Sequence, residues 1–188
     1  VEQYPDTLEA RVELAELALA QNNWPEVERH GSAAFDLAPD RLDVRSIDVA
    51  MRYRQAAIDR DVEKRAEIAL EAAALLEEHR AGDLPDNDAL VRVMIDNHLQ
   101  SEQYDRALEV VNGALDRTPE VEDLNLLKTQ LLVQTEDVAG TGAHLKKVVD
   151  LFPENPDMRQ MLISWYIREG DLAGAEAFLR AQAGADDG

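Results

Sequence analysis

The side chains able to do chemistry in this chain are few and badly spaced for it. Its four histidines are His30, His79, His98 and His144. No two of them stand four residues apart on one helix face, and none falls in the His-Glu-x-x-His pattern of a helical metal site. "AGTGAH" (139–144) offers two glycines, but a phosphate-cradling loop needs a preceding strand and a fuller glycine fingerprint. Ser32, Ser46, Ser101 and Ser164 all lie outside a Gly-x-Ser-x-Gly elbow. The Asp-x-Asp-x-Asp-Gly spacing of a calcium loop is absent, and acid pairs such as Glu77–Glu78 read as solvated helix faces. There is no cysteine, which removes thiol catalysis, thiolate zinc sites and disulfides together. The expectation is a protein with no catalytic residue, no cofactor and no metal.

The elements that would have to position any site come next. At 188 residues, with 45% hydrophobic and 31% charged content, the chain has the composition of a folded protein. No apolar run approaches the roughly 18 residues of a membrane span, so no direct membrane insertion is expected of this segment. The net charge of −20 would repel phosphate backbones and anionic lipid over most of the surface, which disfavours nucleic acid as a partner. Only four of the 19 basic residues are lysine, and this bias, with abundant Ala and excess acid, fits a GC-rich bacterial source. The ends "VEQYPD" and "AGADDG" read as cuts from a longer chain. The compartment, cytoplasmic or periplasmic, stays open.

Period carries more information than any motif. Pro5 to Pro39 is 34 residues, Pro39 to Pro85 is 46, and Pro85 to Pro119 and Pro119 to Pro153 are 34 each. A fixed period in this range predicts stacked repeats. Between the prolines the pattern is helical: Leu8, Val12, Ala15 and Leu19 share one face, widened by Leu14, Leu17 and Ala18. "QNNWPE" breaks that run, with Asn23 as the expected N-cap, Pro25 in the first turn and Glu26 completing a capping box. The lengthened second unit is expected to hold one helix from about 41 to 59 and another from 62 to about 79. In the last unit Asn155 and Pro156 open a helix, and Gly170 makes the inter-helix turn. No stretch alternates with a period of two, so the class is all-α.

"SEQYDRALEVVNGALDRTPE" places Tyr104 at a turn, Ala107 and Ala114 at close-packing positions and Pro119 at the end. "GDLAGAEAFL" repeats this through Gly170, Leu172, Ala175 and Leu179, and "NNWPEVERHGSAAFDLAPD" through Trp24, Ala34 and Pro39. This 34-residue helix–turn–helix unit resembles the tetratricopeptide repeat. The resemblance implies a right-handed α-solenoid of about five helix pairs. It would form a single domain over 1–182, with units near 6–39, 40–84 (lengthened), 86–119, 120–153 and 155–182, then a flexible tail at 183–188. Departures from the pattern are Ile95, Thr129 and Ile163 where Ala15 is the expected small residue, and Gly31 where a large one is usual. His98 stands where the family often has tyrosine, which implies a packed or half-buried imidazole.

In that family the first helix of each unit lines a concave groove where ligands bind. Carried over by position, the groove residues are Glu9, Val12, Glu16 and Leu19; Arg92, Asp96 and Leu99; Asp123, Leu126, Gln130 and Val133; and Asp157, Gln160, Ser164 and Ile167. Members that grip a peptide's terminal carboxylate use Lys and Asn at several of these places. Here those places hold Val12, Glu16, Arg92 and Asp96, and an acidic groove repels a carboxylate. The implied function is a non-catalytic protein-interaction scaffold that takes a basic or amphipathic helical or extended segment of a partner. Two other classes stay open: a structural, self-associating repeat segment of a larger protein, and the regulatory domain of an enzyme.

Overall fold

The computed structural model describes residues 7–186, with side chains as far as residue 182. Among these residues there are ten helices and no strand. They are α1 (Leu8–Ala20), α2 (Trp24–Leu37), α3 (Leu42–Ile58), α4 (Val62–Ala81), α5 (Asp88–Gln100), α6 (Tyr104–Arg117), α7 (Glu122–Gln134), α8 (Val138–Leu151), α9 (Pro156–Arg168) and α10 (Leu172–Asp186). The pairs follow the proline period, and the long unit gains its extra residues in both helices, as the pattern requires. No described helix is long and apolar enough to cross a membrane. Helix α10 runs past residue 182, where the repeat pattern stops. Residues 1–6 and 187–188 lie outside the description.

Three residues join the two helices of every pair, and one device closes all five joints. The backbone N–H of Asn23, Asp61, Gln103, Asp137 and Asp171 reaches back to the carbonyls of Ala18, Ala56, His98, Leu132 and Tyr166 at 2.8–3.0 Å. This is the six-to-one bond of a Schellman ending, and it holds the preceding residue in the left-handed region. Those residues are Asn22, Arg60, Glu102, Glu136 and Gly170, at φ between 54 and 74°. Only the last is glycine, so four joints accept the roughly 1 kcal/mol cost of a left-handed side-chain-bearing residue. Three of the second helices, α4, α8 and α10, are then capped by Asp61, Asp137 and Asp171, which accept from the amides of Lys64, Gly140 and Gly174.

Asn23 departs from expectation. Its side chain makes no cap bond; instead Asn22 accepts from Trp24 Nε1 at 2.5 Å. Glu26 does not close a capping box but accepts from His30 Nε2 at 3.1 Å. Asn155 does cap α9, through the amides of Asp157 and Met158.

The chain divides into two compact units, Val1–Arg117 and Thr118–Gly188. In the first, α1 packs on α2 and α3, and the stack continues through α4, α5 and α6, with α3 also touching α5. Its first core cluster joins Val12, Ala15, Ala18, Val27, Ala34, Val44 and Ile47. Gly31 belongs to this joint: a Cβ there would stand 2.8 Å from Ile47 Cγ2, which is why a small residue replaces the usual large one. The second unit is built on Leu145, Val148, Val149, Met158, Leu162, Tyr166 and Ala175. Gly142 is explained in the same way, because Trp165 lies where its Cβ would be. These glycines serve close packing rather than a phosphate.

Candidate functional site

Within the first unit, the first helices of three successive pairs wall a cavity of about 820 Å³. Its floor is α3, which presents Ala50 and Ala57 two turns apart with Tyr53 and Arg54 between them. The α1 side carries Glu16 and Leu19, and the α5 side carries Arg92, Val93 and Asp96. Trp24, the first residue of α2, stands at one end. The other end is closed by Asp43, His79 and residues 84–88.

Packing and polar bonds hold these walls in place. Tyr53, in the α3 floor, is buried, and its hydroxyl donates to Asp96 Oδ2 at 2.8 Å. Burial and the adjacent Asp96 carboxylate push the phenol well above its ordinary ionisation range. The Arg54 guanidinium lies 4.4 Å from the centroid of the Trp24 ring, a cation–π contact that fixes both at the cavity edge. Arg41 grips Asp43 with two bonds, 2.9 Å from Nε and 2.5 Å from Nη2, and reaches Glu9 at 3.2 Å. The Arg41 bond holds the Asp43 carboxyl below its ordinary range against the opposing effect of burial. Glu16 is pushed the other way, first by partial burial and then by Asp43 and Glu13, with Arg41 opposing.

The closed end is assembled from the α4–α5 connection. Leu84 N–H bonds back to the His79 carbonyl at 3.0 Å. Asp86, 6% exposed in its side chain, takes both Nε and Nη2 of Arg80, at 3.0 and 2.7 Å, and Nε of Arg117 at 3.0 Å. Arg117 also donates to the Leu84 carbonyl at 3.0 Å. A buried carboxylate shared by two guanidiniums is stable only when its lone pairs are filled in this way. Five carboxylates (Glu16, Asp43, Asp86, Asp88, Asp96) line the cavity against two arginines, over a largely apolar floor. Asp43 and Asp86 are already paired with Arg41, Arg80 and Arg117, so the lining carboxylates outside these ion pairs are Glu16, Asp88 and Asp96, and no nucleophile–base pair appears among the lining residues.

Of the residues the sequence puts on the groove, Glu16, Leu19, Arg92 and Asp96 line this cavity together. Val12 does not belong there: it is 5% exposed and packed in the α1–α3 core, a short branched side chain covered by its neighbours Val44 and Ile47. Glu9 is on α1 in the ion pair with Arg41, and Leu99 is half-buried near the end of α5. The remaining candidates stand on α7 (Asp123, Leu126, Gln130, Val133) and α9 (Asp157, Gln160, Ser164, Ile167) of the second unit. There Leu126 packs against the core cluster and Gln160 approaches Ser164 at 3.4 Å. The sequence reading missed Trp24, Asp43, Ala50, Tyr53, Arg54 and Ala57 altogether. Counting back from each inter-helix joint would have found three of them: Ala50, Arg54 and Ala57 occupy the α3 register of Val12, Glu16 and Leu19.

Three of the histidines are structural in their immediate bonds. His30 accepts from Arg11 Nη1 at 3.0 Å through Nδ1. His98, half-buried, donates from Nδ1 to Gln103 at 3.0 Å. His144 donates from Nε2 to the Asn125 carbonyl at 3.1 Å.

No family model matches the chain, and no curated protein sequence matches it. Solved structures do resemble it. A chain of the Naa15/Naa10 structure bound to HypK-THB superposes with a TM-score of 0.67 at 16% identity, over 95% of this chain and 25% of that one. This chain thus spans about a quarter of that neighbour's length. MamA (41-end) from Desulfovibrio magneticus RS-1 gives 0.59 at 15% identity, over 97% of both chains. PilF of Pseudomonas aeruginosa gives 0.62 at 13%, over 94% of this chain and 75% of that one. A tetratricopeptide repeat protein from Parabacteroides merdae ATCC 43184 gives 0.55 at 15%, over 96% and 67%. With the paired helices and their repeated joints, these likenesses establish an all-α fold of tetratricopeptide-like repeats, of the α-solenoid class.

Proposed function

We propose that this chain is a non-catalytic protein-interaction module whose first unit binds an amphipathic, basic segment of a partner protein. The observation that carries the reading is the composition of the 820 Å³ cavity: an apolar lining of Leu19, Ala50, Ala57 and Val93 beside the carboxylates of Glu16, Asp88 and Asp96. Such a surface rewards a segment with apolar side chains on one face and Lys or Arg beside them. It penalises an acidic segment by like-charge repulsion. One neighbour of the same fold is bound to a protein, which supports a protein as the ligand here. The second unit has exposed first-helix residues of its own, such as Gln130, Asp157 and Gln160.

The test uses two synthetic helical peptides with the same apolar residues, one with Lys and Arg on its polar face and the other with Glu. Trp24 lies in the cavity, so its fluorescence reports occupancy once the emission of Trp165 is removed by Trp165→Phe. The basic peptide is expected to shift the emission saturably and to bind more weakly as salt rises, while the acidic one leaves it unchanged. Equal binding of both, or of neither, removes the reading.

A further inference from the structure

The closed end of this cavity contains a group that the packing of the fold does not use up. His79 is 7% exposed and lines the cavity. Its Nε2 lies 3.1 Å from Ser46 Oγ, and the Ser46 hydroxyl proton is committed to the Leu42 carbonyl at 2.8 Å. Ser46 therefore accepts, and Nε2 must be the protonated nitrogen. Nδ1 is left as a lone-pair acceptor, and no donor among the described residues is hydrogen-bonded to it. His79 lines the cavity, so the open volume lies beside this side chain. Burial, the largest influence on this imidazole, favours the neutral form despite the charges of Asp43, Glu78 and Asp86.

The other groups at this end are of the same polarity. Asp43, Asp86 and Asp88 line the cavity around His79, whereas the arginines that bind the first two (Arg41, Arg80 and Arg117) do not line it. Of the two arginines that do line it, Arg54 lies towards the C-terminal end of α3 and is stacked on Trp24 at the opposite end, and Arg92 stands one turn along α5 from Asp88. An acceptor nitrogen among carboxylates calls for a ligand that brings donors and positive charge together.

We infer that the His79 end of the cavity is an anchor pocket for one cationic side chain of the partner, an alkylammonium or a guanidinium, which donates to His79 Nδ1 beside Asp43 and Asp88. The inference rests on the cavity being the binding face. It adds a fixed position for one Lys or Arg, with the apolar contacts of the segment running from there along α3 towards Trp24.

The probes are n-butylguanidinium and n-butylammonium, with n-butanol as the neutral control of equal length, titrated at pH 7.5. The readout is the ¹⁵N resonances of the His79 imidazole, assigned by their loss in His79→Gln. Both cations are expected to move Nδ1 saturably while n-butanol does not. Movement by n-butanol as large as that by the cations, or no movement by either cation, overturns the anchor. In the second arm, the basic peptide is titrated against His79→Gln, whose carboxamide can still donate to Ser46 but supplies no acceptor at the Nδ1 position. A loss of about tenfold in affinity is expected, with recovery in His79→Asn. Unchanged binding to His79→Gln overturns the anchor and leaves the groove standing. Failure of the basic peptide to bind the wild type removes the groove and the anchor together. Should His79→Gln not fold, the resonances are assigned by their loss in His79→Asn and the cation titration of the wild type decides.

Discussion

The hydroxyl of Tyr53 and the carboxylate of Asp96 meet at 2.8 Å, tying the floor of the cavity to its α5 wall. The two residues are 43 positions apart, so this bond joins separate repeats and sets the spacing of the cavity. Tyr53→Phe is expected to cost about 1 kcal/mol, the net value of one such bond plus the partial exposure of Asp96. Thermal melts at neutral pH measure it. The phenol's raised ionisation range gives a second readout, since the folded state favours the neutral form. Stability from this group is therefore full below the ordinary tyrosine value of 10.0 and is lost as pH rises above it. Ultraviolet titration of Tyr53→Phe against wild type should show one late-ionising tyrosine missing.

Gly142 and Gly113 make opposite predictions from the same substitution. A Cβ at Gly142 would come within 2.3 Å of Trp165 Cζ2, whereas at Gly113 the nearest of its surroundings is Arg80 Nη2 at 3.9 Å. Gly142→Ala should destabilise by about 1–3 kcal/mol through overpacking. Gly113→Ala should stabilise by about 0.5–1 kcal/mol through helix propensity. Denaturant melts of the two variants separate these effects, and equal signs would contradict the packing described.

The proline period and the helical spacing were enough to place all ten helices, because each helix pair must bury its apolar face and then turn. The joints were much less legible. At the five joints within the pairs, four of the left-handed positions are Asn22, Arg60, Glu102 and Glu136, where no glycine announces the turn. Backbone bonds to the preceding helix impose the conformation there, and such bonds leave no residue signature. The candidate site was half legible. Glu16, Leu19, Arg92 and Asp96 were found by register, but the lengthened second unit broke the count of 34, and the whole α3 floor was lost with it. Val12 shows the converse error, because register gives direction around a helix but not the cover supplied by Val44 and Ile47.

Asp86 is the keystone of the α4–α5 connection. Asp86→Ala removes the shared acceptor of Arg80 and Arg117, and a cost of about 2 kcal/mol is expected, moderated by the partial exposure of both arginines. Hydrogen exchange at Leu84, whose amide holds the connection to His79, should accelerate with it. Protection unchanged at Leu84 would show that the ion cluster does not hold this segment.

Mild acid should weaken the second unit through His144. Burial is the main cause that lowers its ionisation range, with Lys128 and Lys147 acting in the same direction and the Asn125 carbonyl against it. The folded state thus favours neutral imidazole. Its contribution is present above the ordinary value of 6.5 and is lost as pH falls below it. His79, lowered chiefly by burial, has the same sign in the first unit. Melting temperature should therefore decline from pH 7 to 5, and the decline should be shallower in His144→Gln.

The central claim is that the acidic rim of the first unit selects a basic partner segment. Its most direct test is the affinity of the basic peptide for wild type and for the double variant Glu16→Lys, Asp88→Lys, followed by Trp24 fluorescence. Both carboxylates line the cavity at exposed positions, so the melting temperature should hardly change. At least tenfold weaker binding and a flatter salt dependence are expected in the variant. Binding of equal strength and equal salt dependence in the two proteins would contradict it.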